Sequence, residues 1–474
     1  MNLDSIWLKE DVKSASEYII DELSKRKKKF IIRFGESNPN LPDLPFSNLE
    51  LLSVGSCKEL TDYTTYALRG YGIPVANDFT PNYSNINSGH NWNAIVTGKD
   101  SSIPFIIPVK DTLGYFKSSH YQLSKVYRKT YSYQPQSHAA FHAALNKSQQ
   151  RMADFLTNPY LIDVTDQYVP TVDIELSIQY PDANVKDLAY LFVFNNVNWV
   201  PLAWGKVGNA SVSFTKVGYK AAYLPVSGDG IPFGQPIIFD DEHQPKILNP
   251  DYENLTTLKI LRKYPLFPRI QGYINRMIGG EFKGANQPDF SDAELLFKVE
   301  SSPGEYFNEI TIKQKKAYKY IGYFGPDGSF ANIAEFEIYD RQGNQLTGKV
   351  IGTEGDHEEF PERTKEKAFD GDVLTFYMSP REDSCWVGLE FQQPETISKI
   401  RFMARSDFNT IVPGDVYEVF FWDRQWYSLG KQTAQSHELS YTDVPSNALY
   451  FIHNHSGGKE ERIFTYENGN PVWW

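Results

Sequence analysis

The stretch GSCKELTDYTTYALRGYGIPVANDFTP at residues 55–81, followed by GHNWNAIV at 89–96, decides how the opening part of this 474-residue chain folds. Behind Ser56, the residues Leu60, Tyr63, Thr64, Ala67 and Leu68 recur at helical spacing. Gly70 and Gly72 stop that helix ahead of Pro74. Strands are expected at 74–79, 90–96 and 103–109, with Gly98, Lys99 and Asp100 turning the last two into a hairpin. A helix over 11–29 precedes them, and helical character returns at 138–156. Helices first and strands after make residues 1–157 an α+β unit.

The same stretch carries chemistry. Cys57 opens the helix, where unpaired backbone N–H groups and the positive dipole end favour a thiolate. His90 heads a strand and has the side chain suited to take a thiol proton and return it to a leaving amine. Asp111 follows the third strand; a hairpin turn centred between Asp100 and Ser101 would set it opposite His90, ready to fix the imidazole tautomer. Asp78 and Asp100 are alternative acids. Strand alternation puts His90, Trp92 and Ala94 on one face and Asn91, Asn93 and Ile95 on the other. The expectation is that Cys57 approaches the His90 face, with Trp92 walling the cleft and Asn93 beside it.

Outward from this core the texture changes. Val172, Ile174, Leu176 and Ile178 alternate with polar residues, and turns recur at short intervals over 158–241, the mark of a β-sandwich. Residues 242–261 begin polar and Pro-containing and read as a linker. Strand signals dominate 262–474 apart from a short helix near 271–277. Aromatic residues are 15% of the chain, a content typical of sheet proteins that bind sugars or other surfaces. The net charge of −12 argues against a nucleic-acid partner. The basic run SKRKKK at 24–29 complements a helix C-terminus instead. No apolar run reaches the ~20 residues of a membrane span. Two cysteines are too few for a disulfide framework, and Cys385 reads as core filler. No export signal is visible, so the chain is expected to be cytosolic, or periplasmic or cell-surface after removal of a leader.

GSCKELTDYTTYALRGYGIPVANDFTP followed by GHNWNAIV resembles the core of the transglutaminase-like superfamily, as found in large bacterial surface proteins. The resemblance implies a papain-like α+β core with Cys57 as nucleophile, His90 as base and Asp111 as orienting acid. It further implies a thiol-dependent hydrolase or acyl transferase acting on a peptide or glycopeptide, without a catalytic cofactor. In the C-terminal block, YKYIGYFGPDGSFANIAEFEIYD at 318–340, FDGDVLTFY at 369–377 and CWVGLEFQQPETISKIRF at 385–402 resemble a discoidin-like (coagulation factor type C) module. The closing-type motif precedes the opening-type one, which two modules splitting near 340 or one permuted sandwich would explain. Such modules are jelly-roll sandwiches that often bind glycans. The resemblance matches Asp370, Asp372 and Thr375 to a structural calcium loop, with an ordinary DGD turn as the other reading. Trp422 and Trp426, in FFWDRQWYSLG at 420–430, are either core or a sugar platform. The middle sandwich looks like an immunoglobulin-like or carboxypeptidase-regulatory-like spacer. The expected whole is multidomain: an α+β core followed by all-β sandwiches. Its expected function is amide hydrolysis or acyl transfer aided by glycan-binding domains. The alternative is a non-catalytic glycan-binding surface protein whose core is a scaffold.

Overall fold

Ser56 organises the first unit. In a computed structural model, which describes residues 12–27, 30–32, 44–52, 54–107, 121–145, 153–357, 362–457 and 460–474, Ser56 N-caps its helix by accepting from the Lys58 N–H at 3.1 Å. The Ser56 N–H donates to Glu59 Oε2 at 2.8 Å, completing a capping box. Helices α1 (Val12–Arg26), α2 (Phe46–Leu51) and α3 (Cys57–Gly70) precede the main sheet. Two short strands, β1 (Ile31–Ile32) and β2 (Val54–Gly55), pair in parallel beside them.

The main sheet is antiparallel. Its strands are β3 (Val75–Thr80), β4 (His90–Gly98), β5 (Ser101–Phe105), β6 (Tyr127–Lys129) and β7 (Leu161–Asp163), in the order β5-β4-β3-β6-β7. Leu60, Tyr63 and Leu68 of α3 bury against Val75, Ile95 and Phe105 on one face. Trp92, Tyr83, Leu123, Val126 and Val164 pack on the other. Helix α4 (His138–Ala144) is the described part of the helical stretch expected at 138–156, with a 3-10 turn at Asp154–Thr157.

The middle unit is one continuous sheet of seven strands, β8 (Thr171–Ser177), β9 (Leu188–Phe194), β10 (Trp199–Val207), β11 (Ser211–Gly218), β12 (Tyr223–Ser227), β13 (Ile237–Phe239) and β14 (Pro245–Ile247), ordered β14-β13-β12-β9-β10-β11-β8. Ile174 on one edge strand shares a core with Ile237 and Phe239 near the other edge, so the sheet curls over itself.

The expected linker at 242–261 is not a linker. It contains β14 and the ten-residue strand β15 (Asp251–Ile260). Most of the β15 side chains face solvent, which is why its sequence reads as a polar connection. The expected split near 340 also fails. Helix α5 (Pro268–Asn275) leads into β16 (Glu281–Ala285), β17 (Glu294–Lys298), β18 (Asn308–Thr311), β19 (Ala317–Phe324), β20 (Ile333–Tyr339), β21 (Lys349–Gly352), β22 (Trp386–Thr396) and β23 (Lys399–Ala404). These form a five-stranded sheet, β17-β16-β19-β22-β21, over a three-stranded one, β18-β23-β20. Strands on both sides of 340 share one core, so a boundary there would cut it.

Five more strands form a last sheet: β24 (Val416–Asp423), β25 (Gln425–Thr433), β27 (Tyr450–Asn454), β28 (Ile463–Glu467) and β29 (Asn470–Trp473), ordered β25-β24-β27-β28-β29. Facing it, β26 (Leu439–Ser446) pairs with β15, and Leu258 and Ile260 of β15 enter the core of this last sandwich. The sandwich at 266–404 is therefore inserted between the first strand of the last sandwich and its remainder. The molecule is mostly β, built of several sheets. Among the described residues, no helix is long and apolar enough to cross a membrane.

Candidate active site

Cys57, half-buried, is the first residue of α3. The Thr61 hydroxyl donates to its carbonyl at 2.7 Å. The group that meets its sulfur is the Asn91 amide, with Nδ2 4.0 Å from Sγ. One residue pair further along β4, Asn93 donates to the Thr61 carbonyl at 3.1 Å and to the Thr65 hydroxyl at 2.9 Å. Asn77, directly opposite Asn93 on β3, donates to Asp62 at 2.9 Å. Helix α3 therefore lies on the Asn91, Asn93 and Ile95 face.

His90 belongs to the other face. Its ring centroid is 6.3 Å from that of Tyr83 and 5.8 Å from that of Trp92. Burial pushes its pKa down to about 4, so the imidazole is neutral near pH 7. The expected alternation along β4 is found, but the expected face for Cys57 is not. Among the described residues no hydrogen bond joins Cys57 to His90. Trp92 walls no cleft beside the thiol; it is buried, and its indole N–H donates to the Tyr168 hydroxyl at 2.9 Å. Asn93 lies on the α3 face, tied to Thr61 and Thr65.

The acids fare as follows. Asp111 lies outside the described residues. The register that nominated it is corrected by the hairpin: Asn93 pairs with Phe105 and Ala94 with Pro104, three positions off the expected pairing. The turn centres between Lys99 and Asp100, with Gly98 paired to Ser101, and the register shift between Val96 and Gly98 adds the remaining position. Asp100 is exposed in the turn at the far end of β4 from His90. Asp78 is fully buried and committed elsewhere. Arg128 grips both of its oxygens, each at 2.7 Å, and the Tyr168 hydroxyl donates to Oδ2 at 2.6 Å. Burial pushes the Asp78 carboxyl up against the pull of Arg128 and Tyr168. It braces the sheet and does not orient the imidazole.

In the C-terminal half, Trp422 is 5% exposed and packs edge-to-face on Trp199 of the middle sheet, with centroids 5.6 Å apart. Partly buried Trp426 meets it edge-on, with centroids 5.0 Å apart, in the same cluster with Phe194 and Phe451. Their faces are spent on an interdomain core, so a sugar platform there is corrected to packing. Cys385 is buried as expected, its thiol directed at the Arg381 and Asp383 carbonyls.

Around the DGD turn, the Thr375 hydroxyl approaches Asp370 Oδ2 at 2.9 Å and the Asp372 carbonyl at 3.1 Å. The Asp372 carboxylate instead accepts the Leu374 N–H, so its carbonyl, not its side chain, faces the site. Sequence reading missed Glu335, which is buried, has Oε1 without a hydrogen-bond partner, and is pushed up to about 7 by burial and then by Asp370. Oxygen donors of these kinds are the ones a hard divalent cation takes, but Asp370 Oδ2 already accepts from the Lys367 ammonium at 2.9 Å. Among the described residues, no group of three or more His, Cys, Asp or Glu side chains is placed to hold a metal.

Against protein-family models, curated proteins and solved structures, this chain finds no match.

Proposed function

We propose that the protein is a glycan-binding protein of several β-sandwiches whose thiol-bearing α+β unit serves as a scaffold. The observation that carries this reading is the placement of Cys57 and His90 on opposite faces of β4: a nucleophile and base must lie within hydrogen-bond reach, or one water, of a shared proton. The resemblance of the 318–402 motifs to discoidin-like modules supports a glycan as the ligand. Asp370, Thr375 and Glu335, with the Asp372 carbonyl, would hold a calcium ion that stiffens the sandwich and takes no part in chemistry.

A second reading keeps a thiol acyl transferase. Its support is Cys57 at the helix start with the Asn91 amide N–H beside it, a donor able to stabilise negative charge on sulfur. Iodoacetamide labelling of Cys57 across pH, in wild type and His90→Ala, separates the two. The scaffold reading expects the two proteins to follow one labelling curve. A curve that His90→Ala displaces to higher pH would overturn the scaffold reading and restore the enzyme. The same full-length protein screened against a glycan array should bind without turning over peptide amides.

A further inference from the structure

Four arginines from three segments of the inserted sandwich gather around two rings, three of them on Tyr273 and two on Phe376. Arg405, just after β23, lies with Cζ 3.6 Å from the Tyr273 ring centroid and 3.9 Å from that of Phe376. Arg363 covers Phe376 at 4.4 Å. Arg276 stands 5.1 Å from the Tyr273 centroid and 5.8 Å from that of Phe330. Arg269, on α5, donates from Nε to the Tyr273 hydroxyl at 2.6 Å.

Among the described residues, carboxylates pair with neighbouring arginines but not with Arg269, Arg276 or Arg405. By contrast, Arg262 at the entry to the insertion meets Glu305 and Asp407, and Arg401 within it meets Glu309 and Glu337. Arg276 Nη1 is buried with no hydrogen-bond partner, and such orphaned donors are rare in folded proteins. Burial, and then the charges of Arg363, Arg276 and Arg269, hold Arg405 down to about 10. Burial alone would raise the Tyr273 phenol, yet donation from Arg269 and the charges of Arg405, Arg269 and Arg276 bring it below its usual value.

Guanidinium faces that stack on rings leave their N–H edges free for planar, paired recognition of oxygens. Resting on the glycan-binding reading, we propose that this arginine–aromatic cluster binds the oxyanion of an acidic saccharide, a sulfate ester or a uronate carboxylate. Arg405 and Arg276 supply the N–H edges and Arg269 extends the field at the rim.

Titration calorimetry on the full chain tests it, with four probes: inorganic sulfate, a sulfated oligosaccharide, a uronate oligosaccharide and the neutral parent sugar. The expected result is binding of one acidic saccharide, at least about tenfold tighter than the neutral parent and weakened by salt. Arg405→Gln and Arg276→Gln should each weaken it about tenfold or more, and exposed Arg269→Gln, which leaves the ladder's packing in place, by a smaller factor. Arg405→Lys keeps the charge without the fork and should fall between wild type and Arg405→Gln. Thermal melts of every variant separate lost binding from lost fold. Equal binding of the neutral parent, unmoved by the arginine variants, overturns the oxyanion site and leaves the glycan reading standing. Variant-sensitive binding of inorganic sulfate with no affinity for any saccharide keeps the oxyanion site and overturns the glycan reading. No binding of any probe overturns both.

Discussion

One residue of strand alternation separates Asn91 from His90, and it decides what meets the thiol. Both lie at the head of β4, yet Asn91 turns toward α3 and His90 toward Tyr83 and Trp92. Buried imidazoles have a second consequence. His90 and His138 are both pushed down to about 4 by burial; His138 is held between the Leu156 carbonyl at 3.2 Å and the Tyr190 hydroxyl at 3.0 Å. The unfolded chain protonates these rings below about pH 6.5, whereas the folded chain keeps them neutral until about 4. Between those values the unfolded state binds more protons, so stability is complete above about 6.5 and drains away as the pH falls. The shift corresponds to at most about 3 kcal/mol for buried His138, at 1.36 kcal/mol per unit, and to less for His90, which is only partly buried. Denaturant titrations at pH ~7 and ~4.5 should show a smaller loss in His90→Gln and His138→Gln than in wild type. An unchanged loss in both variants would assign the acid sensitivity to other groups.

Helix α3 and strands β3 and β4 are legible in the sequence because each has its own period and its own punctuation. Ser56 with Glu59 three residues on marks the start, and Gly70 to Pro74 marks the stop. Replacing Ser56 by Ala removes the acceptor for the Lys58 N–H and should cost about 1 kcal/mol, read as a lower denaturant midpoint with an unchanged slope. An unshifted midpoint would mean that the first turn is held by tertiary packing alone. The features that were not legible depend on distant partners. The β4–β5 register hangs on an irregularity between Val96 and Gly98 that composition does not announce, and a slip there moves every pair. Trp422 and Trp426 read in sequence as core with a sugar platform as the alternative, and it is Phe194 and Trp199, more than 200 residues earlier, that pack against them. The same holds for the arginine ladder: Arg269, Arg276, Arg363 and Arg405 are scattered in sequence and meet only after the inserted sandwich closes.

Hydrogen bonds that are buried or partly buried cross between the modules. Tyr127 donates to the Leu202 carbonyl at 3.0 Å between the first and middle units, Gln235 donates to Asp423 at 2.7 Å between the middle and last, and Arg462 reaches back to Gln122 at 3.1 Å. The inserted sandwich is the exception in topology. Its core draws only on residues between Ile274 and Ala404, and the last sandwich draws on Leu258, Ile260 and residues from Ile411 onward. The chain leaves and returns at neighbouring points: Arg262 bridges Thr410, the Lys263 N–H donates to the Asn409 carbonyl at 2.9 Å, and the Ile411 N–H to the Leu261 carbonyl at 2.9 Å. A short turn can therefore replace the whole insertion, and loop-closure entropy changes only slowly with the length removed. Replacing residues 266–408 by a Gly-Ser turn should leave a chain that still melts in one cooperative transition. Ion pairing of Arg262 with Glu305 and Asp407 is lost with the insertion, so the midpoint should fall by a few degrees, not tens. Residues 266–408 expressed alone should also melt cooperatively, since no core residue is left behind. Loss of a cooperative transition in either piece, by calorimetry and near-ultraviolet circular dichroism together, would show that the two sandwiches fold only as a unit.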